Sequence, residues 1–201
     1  MKQRIISSGG PGRRGWPAAS AVPPTSFNKE RVWMNIEQFQ SLVAYPPNGP
    51  TTRALPNTLN MRVYAFSNTE LDLAFCWVPL PTSFWTFKLT APTSCTLRFF
   101  WYTDNTSADV VAWRTELIYI RDMETLNFAM PALTSANEAA GNQYQMHMTE
   151  ITDFPIYNPS GSALETDGAF YLKIGRDGPS AEDTFGFEAY LFGASIEFPL
   201  E

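Results

Sequence analysis

The chain has 201 residues, of which 44% are hydrophobic, 14% are aromatic and only 17% are charged. This length and hydrophobic content suffice for one domain with a core and an appendage. The formal net charge of −6 argues against broad nucleic-acid binding by the body of the chain, and no stretch approaches the roughly 20 apolar residues of a membrane span. Because aromatic residues fit the pleated, half-buried surface of a sheet, the composition favours an all-β fold.

The first 30 residues predict an extended arm. Gly9-Gly10-Pro11-Gly12 and Val22-Pro23-Pro24 are incompatible with regular secondary structure, and the start lacks the apolar core of a secretion signal. Basic residues cluster here, with Glu30 as the only acid among them. A basic arm on an acidic body suits self-assembly, because the arm of one copy is attracted to the body of the next; a solvated tail is the alternative. The residues that would carry assembly through the arm are Arg4, Arg13, Arg14, Trp16, Phe27 and Arg31.

The arm is followed by a connecting segment. Helical spacing predicts one short helix over residues 31–45, and a run of irregular turns is the alternative. The apolar positions with this spacing are Val32, Ile36, Phe39 and Val43. Pro46-Pro47-Asn48-Gly49-Pro50 then interrupts any regular element. We therefore divide the chain into an arm with its connecting segment, residues 1–58, and a body, residues 59–201.

From near Met61 onward, short alternating segments and turn signals predict about eight strands. The segments with clear alternation are residues 71–78, 84–91, 95–103, 109–121, 143–152 and 184–198, and Phe170, Leu172 and Ile174 form one further core face. The poorly periodic residues 122–142 are interpreted as a long connection with room for one helical turn.

Two of these strands permit finer predictions. Residues 95–103 are apolar on both faces, which is typical of a central strand or of a strand covered by another protein. Within residues 184–198 the apolar positions change parity. Since a slip of one residue turns every side chain to the other face, a β-bulge near Gly193 is the economical interpretation.

The strand over residues 143–152 contains the single histidine of the chain. The side chains predicted to face the core are Tyr144, Met146 and Met148, and those predicted to face solvent are Gln145, His147 and Thr149. A hydrolytic triad or a zinc site would have to be built around His147. An ordinary exposed histidine is favoured over a general base.

The number of strands and the turn spacing predict the architecture. We predict an all-β fold, a jelly-roll-like antiparallel β-sandwich with an extended N-terminal arm. An immunoglobulin-like sandwich is the runner-up, but the cysteine and tryptophan spacing of that family is absent.

Acidic side chains offer few candidates for chemistry. Paired carboxylates could make a glycosidase. The nearest pairs are Glu150 with Asp153 and Glu182 with Asp183, and both lie beside turns, where acids are common. Arg176, Asp177 and Asp183 predict a local ion pair; a cation site from the two aspartates is the alternative, although hard cations need about six oxygen ligands. We therefore predict no enzymatic activity, no catalytic residue, no cofactor and no metal.

Aromatic and sulfur side chains each leave two alternatives. A sugar-stacking platform could be formed by Tyr102, Tyr119, Tyr157 and Trp85, whereas core packing or a subunit interface accounts for them more simply. Cys76 and Cys95 fall in consecutive predicted strands, where a disulfide is geometrically possible. Without a secretion signal, two buried free thiols are favoured.

The body contains a series of aromatic and turn-forming runs. They are Trp77-Val78-Pro79-Leu80-Pro81, Phe99-Phe100-Trp101-Tyr102-Thr103, Asp109-Val110-Val111-Ala112-Trp113, Ile174-Gly175-Arg176-Asp177-Gly178, Asp183-Thr184 and Leu191-Phe192-Gly193-Ala194-Ser195-Ile196-Glu197-Phe198. Together, over roughly residues 75–198, they resemble the jelly-roll structural proteins of tailed bacteriophages. Such proteins are similar to capsid decoration (cement) proteins and to head or tail fibre modules, which commonly assemble as trimers. The arm does not match this pattern and would be the attachment segment in either role.

The resemblance implies one main function and one alternative. The main hypothesis is a capsid decoration protein of a virion assembled in the host cytoplasm, which trimerises through its body and is anchored by its basic arm. Its partners would be its own copies in a homotrimer and other virion proteins, such as major capsid, tail or portal proteins. The alternative is a head or tail fibre or spike module that recognises host surface glycans. Neither hypothesis includes nucleic acid or a membrane as a partner.

Overall fold

The computed structural model describes residues 29–42, 46–56, 60–78, 94–121, 132–159, 164 and 168–199. In this part of the chain, regular structure consists of strands and one turn of 3-10 helix, Ile36–Gln38. The strands are β1 (Lys29–Asn35), β2 (Gln40–Ser41), β3 (Asn48–Ala54), β4 (Asn60–Phe66), β5 (Leu71–Val78), β6 (Ser94–Thr103), β7 (Ser107–Ile120), β8 (Thr134–Gly141), β9 (His147–Tyr157), β10 (Ala169–Asp177) and β11 (Ala189–Pro199). The prediction of an all-β fold is confirmed.

The strands form two layers that face each other. The front sheet has the order β3-β4-β11-β6-β9, and β1 extends the same edge of β11 that β4 occupies. The back sheet has the order β2-β5-β10-β7-β8. From β4 to β7 and again from β9 to β11, the chain alternates between the two layers, which gives a jelly-roll-like sandwich. A short parallel pairing of β9 with β7, at Ile156 and Leu117, joins the layers at one end.

Large aromatic side chains from both sheets fill the core. Trp101 on β6 and Trp113 on β7 are fully buried and meet edge to face with ring centroids 5.3 Å apart. Phe66 and Phe99 pack on Trp113 at 5.6 and 5.2 Å. Full burial of such a side chain contributes about 1.5–3 kcal/mol, so this cluster is a main source of the attraction between the sheets.

The two finer strand predictions on β6 and β11 are confirmed. β6 lies between β9 and β11 and is therefore central in the front sheet. On β11, Leu191 pairs with Trp101 and Gly193 pairs with Phe100, so that Phe192 has no opposite residue on β6. This bulge lets inward side chains continue at Ala194 after the change of parity, and it points Phe192 outward.

The segment before residue 59 contributes strands to the sandwich, and the helix predicted over residues 31–45 is wrong. β1 pairs antiparallel with β11, with Val32 opposite Ile196. The 3-10 helix begins after Asn35, whose side chain accepts a hydrogen bond from the Glu37 backbone N–H. Ile36 is buried beyond it, so a strand followed by one tight turn produces the same apolar spacing as a helix. β3 also pairs with β4, and the predicted division after residue 58 therefore does not coincide with the edge of the sandwich.

Residues 134–141 are a strand, whereas the sequence predicted a long connection there. β8 has one neighbour among the described strands, β7, and it is short in apolar residues because it lies at the edge of the back sheet. Its alternation of half-buried and exposed side chains is made of small and polar residues. Together with β1, β2 and β3, this strand raises the number of strands among the described residues to eleven, above the predicted number. The predicted strand over residues 84–91 lies outside the described residues.

Candidate functional site

Strand β9 has the opposite orientation to the one that its hydrophobicity predicted. Met146 is 62% exposed and Met148 is 48% exposed, whereas Thr149 is buried. The Thr149 hydroxyl accepts a hydrogen bond of 2.8 Å from the Trp101 indole N–H and donates one to the Glu138 carboxylate. His147 stacks on the Trp101 ring at 4.5 Å, so it is not an exposed histidine. The predicted orientations are therefore wrong for Tyr144, Met146, His147, Met148 and Thr149, because these contacts make the polar face of β9 the inner one, whereas Gln145 is exposed as predicted.

This inversion completes an apolar patch on the outer face of the front sheet. Trp33 is 58% exposed and lies parallel to Phe100, with ring centroids 5.6 Å apart and an angle of 17°. Phe192, turned outward by the bulge, lies 6.1 Å from Phe100. We define the front patch as Trp33, Phe100, Met146, Met148 and Phe192. A shallow cleft of about 370 Å³ runs between four of these side chains, beside the backbone of β1 and β11.

A cluster of cations lies at one end of the front patch. The Glu197 carboxylate on β11 accepts charge-assisted contacts from Lys29 at 3.0 Å, Arg31 at 2.5 Å and Arg98 at 3.2 Å. Arg98 also forms an ion pair with Glu150. We call these five side chains the cationic pole, since three positive charges face two carboxylates.

The charges of the cationic pole determine the titration of Glu197. The hydrogen bond from Arg31, supported by Lys29 and Arg98, lowers the pKa of the Glu197 carboxyl from its ordinary value to about 2, although partial burial opposes this shift. Arg31 was predicted as part of the attachment arm. The structure places it in β1, paired with Glu197, so its side chain has a structural role in the front sheet.

A second charged cluster lies at the other end of the patch. The Tyr190 hydroxyl oxygen is 2.8 Å from Glu188 Oε2 and 3.0 Å from Asp104 Oδ2, so both carboxylates are placed to accept a hydrogen bond from its single proton. Arg53 donates to the Tyr190 oxygen at 2.5 Å and to Glu188 at 2.7 Å, and its guanidinium lies 4.5 Å from the Tyr190 ring centroid. Burial, followed by the carboxylate neighbours, raises the pKa of the Tyr190 hydroxyl. We call Arg53, Asp104, Glu188 and Tyr190 the anionic pole, because two carboxylates face one arginine.

Replacing Glu197 with glutamine is expected to make the free energy of unfolding fall less steeply at acid pH. The folded-state pKa of Glu197, about 2, lies below the ordinary value of 4.5. Its contribution is therefore complete above pH 4.5 and is lost as the pH falls towards 2. Urea unfolding between pH 7 and pH 2 should show the wild type losing its advantage over the variant in that window.

Glu37→Gln is the matched control for this experiment. Glu37 forms a single exposed ion pair with Arg62 at 3.3 Å. Such a pair contributes about 0–1 kcal/mol, so the curve of this variant should run close to that of the wild type. An unchanged difference between wild type and Glu197→Gln from pH 7 to pH 2 would contradict the assignment.

Three of the four carboxylates considered for catalysis, Glu150, Glu182 and Asp183, are held in ion pairs. Glu150 binds Arg98, and Glu182 binds both Arg114 and the Asn137 side chain. The hydrogen bond from Asn137, followed by Arg114, lowers the pKa of Glu182, which is the opposite of what a general acid requires. Asp153 lies on β9, where the backbone has a φ of 51°. These contacts give Glu150 and Glu182 structural roles.

The predicted ion pair near Gly178 is confirmed, and both aspartates of the alternative cation site are paired with arginine. Asp183 is bound by Arg176 at 2.6 Å and accepts a hydrogen bond from the Ala112 N–H. Asp177 is bound by Arg114 at 3.1 Å. Both carboxylates are therefore occupied by arginine. Among the described residues, no cluster of three or more histidine, cysteine or acidic side chains could hold a metal ion.

The described residues of the alternative sugar-stacking platform do not come together on one exposed surface. Tyr119 is buried in the core, and Tyr102 lies on the outer face of the front sheet with 3% exposure. Tyr157 is half-buried at the far end of β9, and Trp85 lies outside the described residues. On the described part of the front sheet, the exposed aromatic surface is instead centred on Trp33. Strand alternation within β1 could have revealed it, since Arg31, Trp33 and Asn35 share one face.

The two cysteines lie in opposite sheets, as free thiols. Cys76 is on β5 in the back sheet and Cys95 is on β6 in the front sheet, and both are buried. Burial raises the pKa of each thiol to about 12. The prediction of two buried free thiols is confirmed.

The remaining residues proposed for assembly lie outside the described part of the chain. They are Arg4, Arg13, Arg14, Trp16 and Phe27, and their role stays a prediction. Where the structure describes the chain, it contains no helix that is long and apolar enough to cross a membrane.

Comparisons with known proteins return similarities of fold. No family model matches the chain, and no curated protein sequence matches it. The CBM22-2 xylan-binding domain of Xyn10C from Paenibacillus barcinonensis is 11% identical with a TM-score of 0.44, over 83% of this chain and 97% of that domain. The K1 cleaved adhesin domain of Lys-gingipain from Porphyromonas gingivalis is 11% identical with a TM-score of 0.43, over 83% of this chain and 97% of that domain. The family 11 carbohydrate-binding module from Clostridium thermocellum is 10% identical with a TM-score of 0.37, over 87% of this chain and 91% of that module. At such identities and TM-scores, these similarities support no inference about a ligand of this chain.

Proposed function

We propose that the chain is a non-catalytic assembly module that attaches to other protein surfaces through the front patch. The observation that carries this proposal is the exposure of Trp33, Met146 and Met148 beside Phe100 and Phe192 on one sheet face. Contiguous exposed apolar surface of this kind marks interaction sites in soluble proteins. Aromatic, methionine and arginine side chains are also the residues enriched in protein–protein interfaces.

The arrangement of the patch also matches the anatomy of an interface. Apolar side chains occupy the centre, and the two charged poles form a polar rim at either end. Burying one large apolar side chain on a partner contributes about 1.5–3 kcal/mol, so a few such residues can dominate the affinity. Trp33 is the strongest single anchor, because it combines a large ring with high exposure.

Within this class we propose a virion role, which is supported by the resemblance to structural proteins of tailed phages. The chain would be a capsid decoration protein, assembled in the host cytoplasm and held on the particle by contacts with the major capsid, tail or portal proteins. Attachment through the basic N-terminal arm belongs to the same proposal, whereas the homotrimer implied by the resemblance stays a prediction.

The test is incorporation into particles. Full-length tagged chain, wild type or Trp33→Ala, would be supplied during an infection by the phage that encodes it, and the tag counted on purified particles. We expect occupancy to fall at least about tenfold for Trp33→Ala, since truncating an interface hot spot costs about 2 kcal/mol or more. Trp77→Ala is the matched control, because Trp77 is 50% exposed on the other sheet.

Two results would contradict this proposal. Normal occupancy of Trp33→Ala on the particles would exclude the front patch as the attachment surface. Absence of the wild-type chain from all particles would exclude the virion role, while leaving attachment to other protein surfaces open.

A second candidate function, recognition of surface glycans, is favoured by the anionic pole. Arg53, Glu188 and Asp104 present charged groups that can bind sugar hydroxyls, and Trp33 offers an exposed aromatic face on the same sheet. Calorimetric titration of the full chain with host surface oligosaccharides tests this candidate. Saturable binding that is lost in Arg53→Ala and kept in Trp77→Ala would favour it over protein attachment.

A further inference from the structure

The two charged poles and the front patch lie along one line on the front sheet. Glu197 lies at the centre of the cationic pole on β11, and Glu188 of the anionic pole directly precedes that strand. At the usual rise of a strand, about 25–30 Å separate the two residues. The midpoint between them falls at the bulge, where Phe192 and Phe100 form the middle of the patch. The front patch therefore lies midway between the two charged poles.

The poles carry excess charge of opposite sign. At one end, Lys29, Arg31 and Arg98 outnumber the carboxylates of Glu197 and Glu150. At the other end, the carboxylates of Glu188 and Asp104 outnumber Arg53, the arginine that they surround. A rotation of 180° about the centre of the patch exchanges the two poles. The face is consequently complementary to itself in charge.

We infer that the occupant of the front patch is the front patch of a second copy, related by a two-fold axis near Phe192. In this arrangement the cationic pole of each copy meets the anionic pole of the other, and the two apolar centres pack together. This inference rests on the proposed assembly function and names the front patch of a second copy as the protein surface bound there, so that attachment of the pair to virion proteins would be left to the N-terminal arm. It differs from the homotrimer implied by the resemblance, since a self-complementary face closes with two subunits.

The geometry of the face suits such a pair. Two sheets stack face to face about 10 Å apart when apolar side chains fill the space between them. Trp33, Met146 and Met148 project from β1 and from the region of β9, at either side of the central strands β11 and β6. Methionine adapts its shape to an opposing surface, so the copies can fit without a rigid match of rings.

Sedimentation velocity on the full-length chain tests the pairing. We expect a species of twice the 22.6 kDa monomer mass that dissociates on dilution. Trp33→Ala should raise the dissociation constant at least about tenfold, whereas Trp77→Ala should leave it unchanged. Circular dichroism of each variant confirms that the fold is retained.

A charge exchange makes the test specific for the two-fold arrangement. Lys29→Glu removes positive charge from one pole, and Glu188→Lys removes negative charge from the other, so each variant alone should dimerise about tenfold more weakly. An equimolar mixture should regain a heterodimer, because each altered pole then faces a charge of opposite sign.

The outcomes separate this inference from the proposed function. A chain that stays monomeric at roughly 100 μM would overturn the pairing, and so would a trimer or a dimer that Trp33→Ala does not weaken. Failure of the mixed variants to associate would overturn the two-fold orientation. If the chain is monomeric and Trp33→Ala still loses occupancy on particles, the proposed attachment function stands with a different partner.

Discussion

Replacing Trp113 with alanine is expected to lower the free energy of unfolding by about 4 kcal/mol. The Trp113 side chain is fully buried on β7 in the back sheet, and its ring meets Phe66, Phe99 and Trp101 of the front sheet edge to face. Its removal leaves a large cavity between the layers that rigid strands on both sides cannot close. Urea unfolding of wild type and variant, followed by circular dichroism, measures the loss.

Trp113→Phe is the control that separates the loss of ring volume from the removal of the indole N–H. Among the described residues, the buried Trp113 indole N–H has no hydrogen-bond partner. Phenylalanine keeps much of the ring volume and removes this unpaired donor, so the variant should lose no more than about 2 kcal/mol. Equal losses for alanine and phenylalanine would contradict the view that packing between the sheets dominates at this position.

The sequence predicted the core well where alternation and burial agree. On β6, Leu97, Phe99 and Trp101 form a clear inward row, and the structure buries all three. The bulge near Gly193 was predictable for the same reason. Strongly apolar inward side chains lie on both sides of it, and one inserted residue reconciles their opposite parities.

The candidate site was harder to predict, because its residues contradict the simplest rule of burial. Hydrophobicity assigned Met148 on β9, and Met146 just before it, to the core. The hydrogen bonds of Thr149 with Trp101 and Glu138 instead make the polar face of β9 the inner one. These partners come from β6 and β8, and no pattern within β9 itself reveals them. An apolar face that remains exposed after folding is also the feature that indicates a binding surface.

The N-terminal strands were missed for a related reason. Val32, Ile36 and Phe39 are spaced as on a helix, whereas β1 ends at Asn35 and a single 3-10 turn follows. The pairing partner of β1 is the last strand of the body, β11. Such long-range pairing determines the structure of a short segment more strongly than its own periodicity does, and it placed Trp33 on the front face.

Replacing Arg176 with methionine is expected to cost about 3–5 kcal/mol, because it leaves a buried carboxylate without its counter-charge. Arg176 and Asp183 have 0% and 1% side-chain exposure and are 2.6 Å apart. The guanidinium also donates to the backbone oxygens of Phe66, Phe185 and Phe187, which would lose a donor. Thermal or urea unfolding of the variant measures this cost.

Arg114→Met tests whether burial is the cause. Arg114 makes the same type of ion pair with Asp177, at 3.1 Å, but the partner carboxylate is 27% exposed and can be solvated. We expect a loss of about 1 kcal/mol or less at this site.

In a double-mutant cycle, Arg176→Met with Asp183→Leu should regain part of the cost of the single change, since no unpaired charge then remains at this position in the core. The recovery should stay incomplete, because the double variant still lacks the donor for three backbone carbonyl groups. Through these hydrogen bonds Arg176 links the end of β4 to the turn before β11. Full recovery would mean that this arginine stabilises the sandwich only through Asp183.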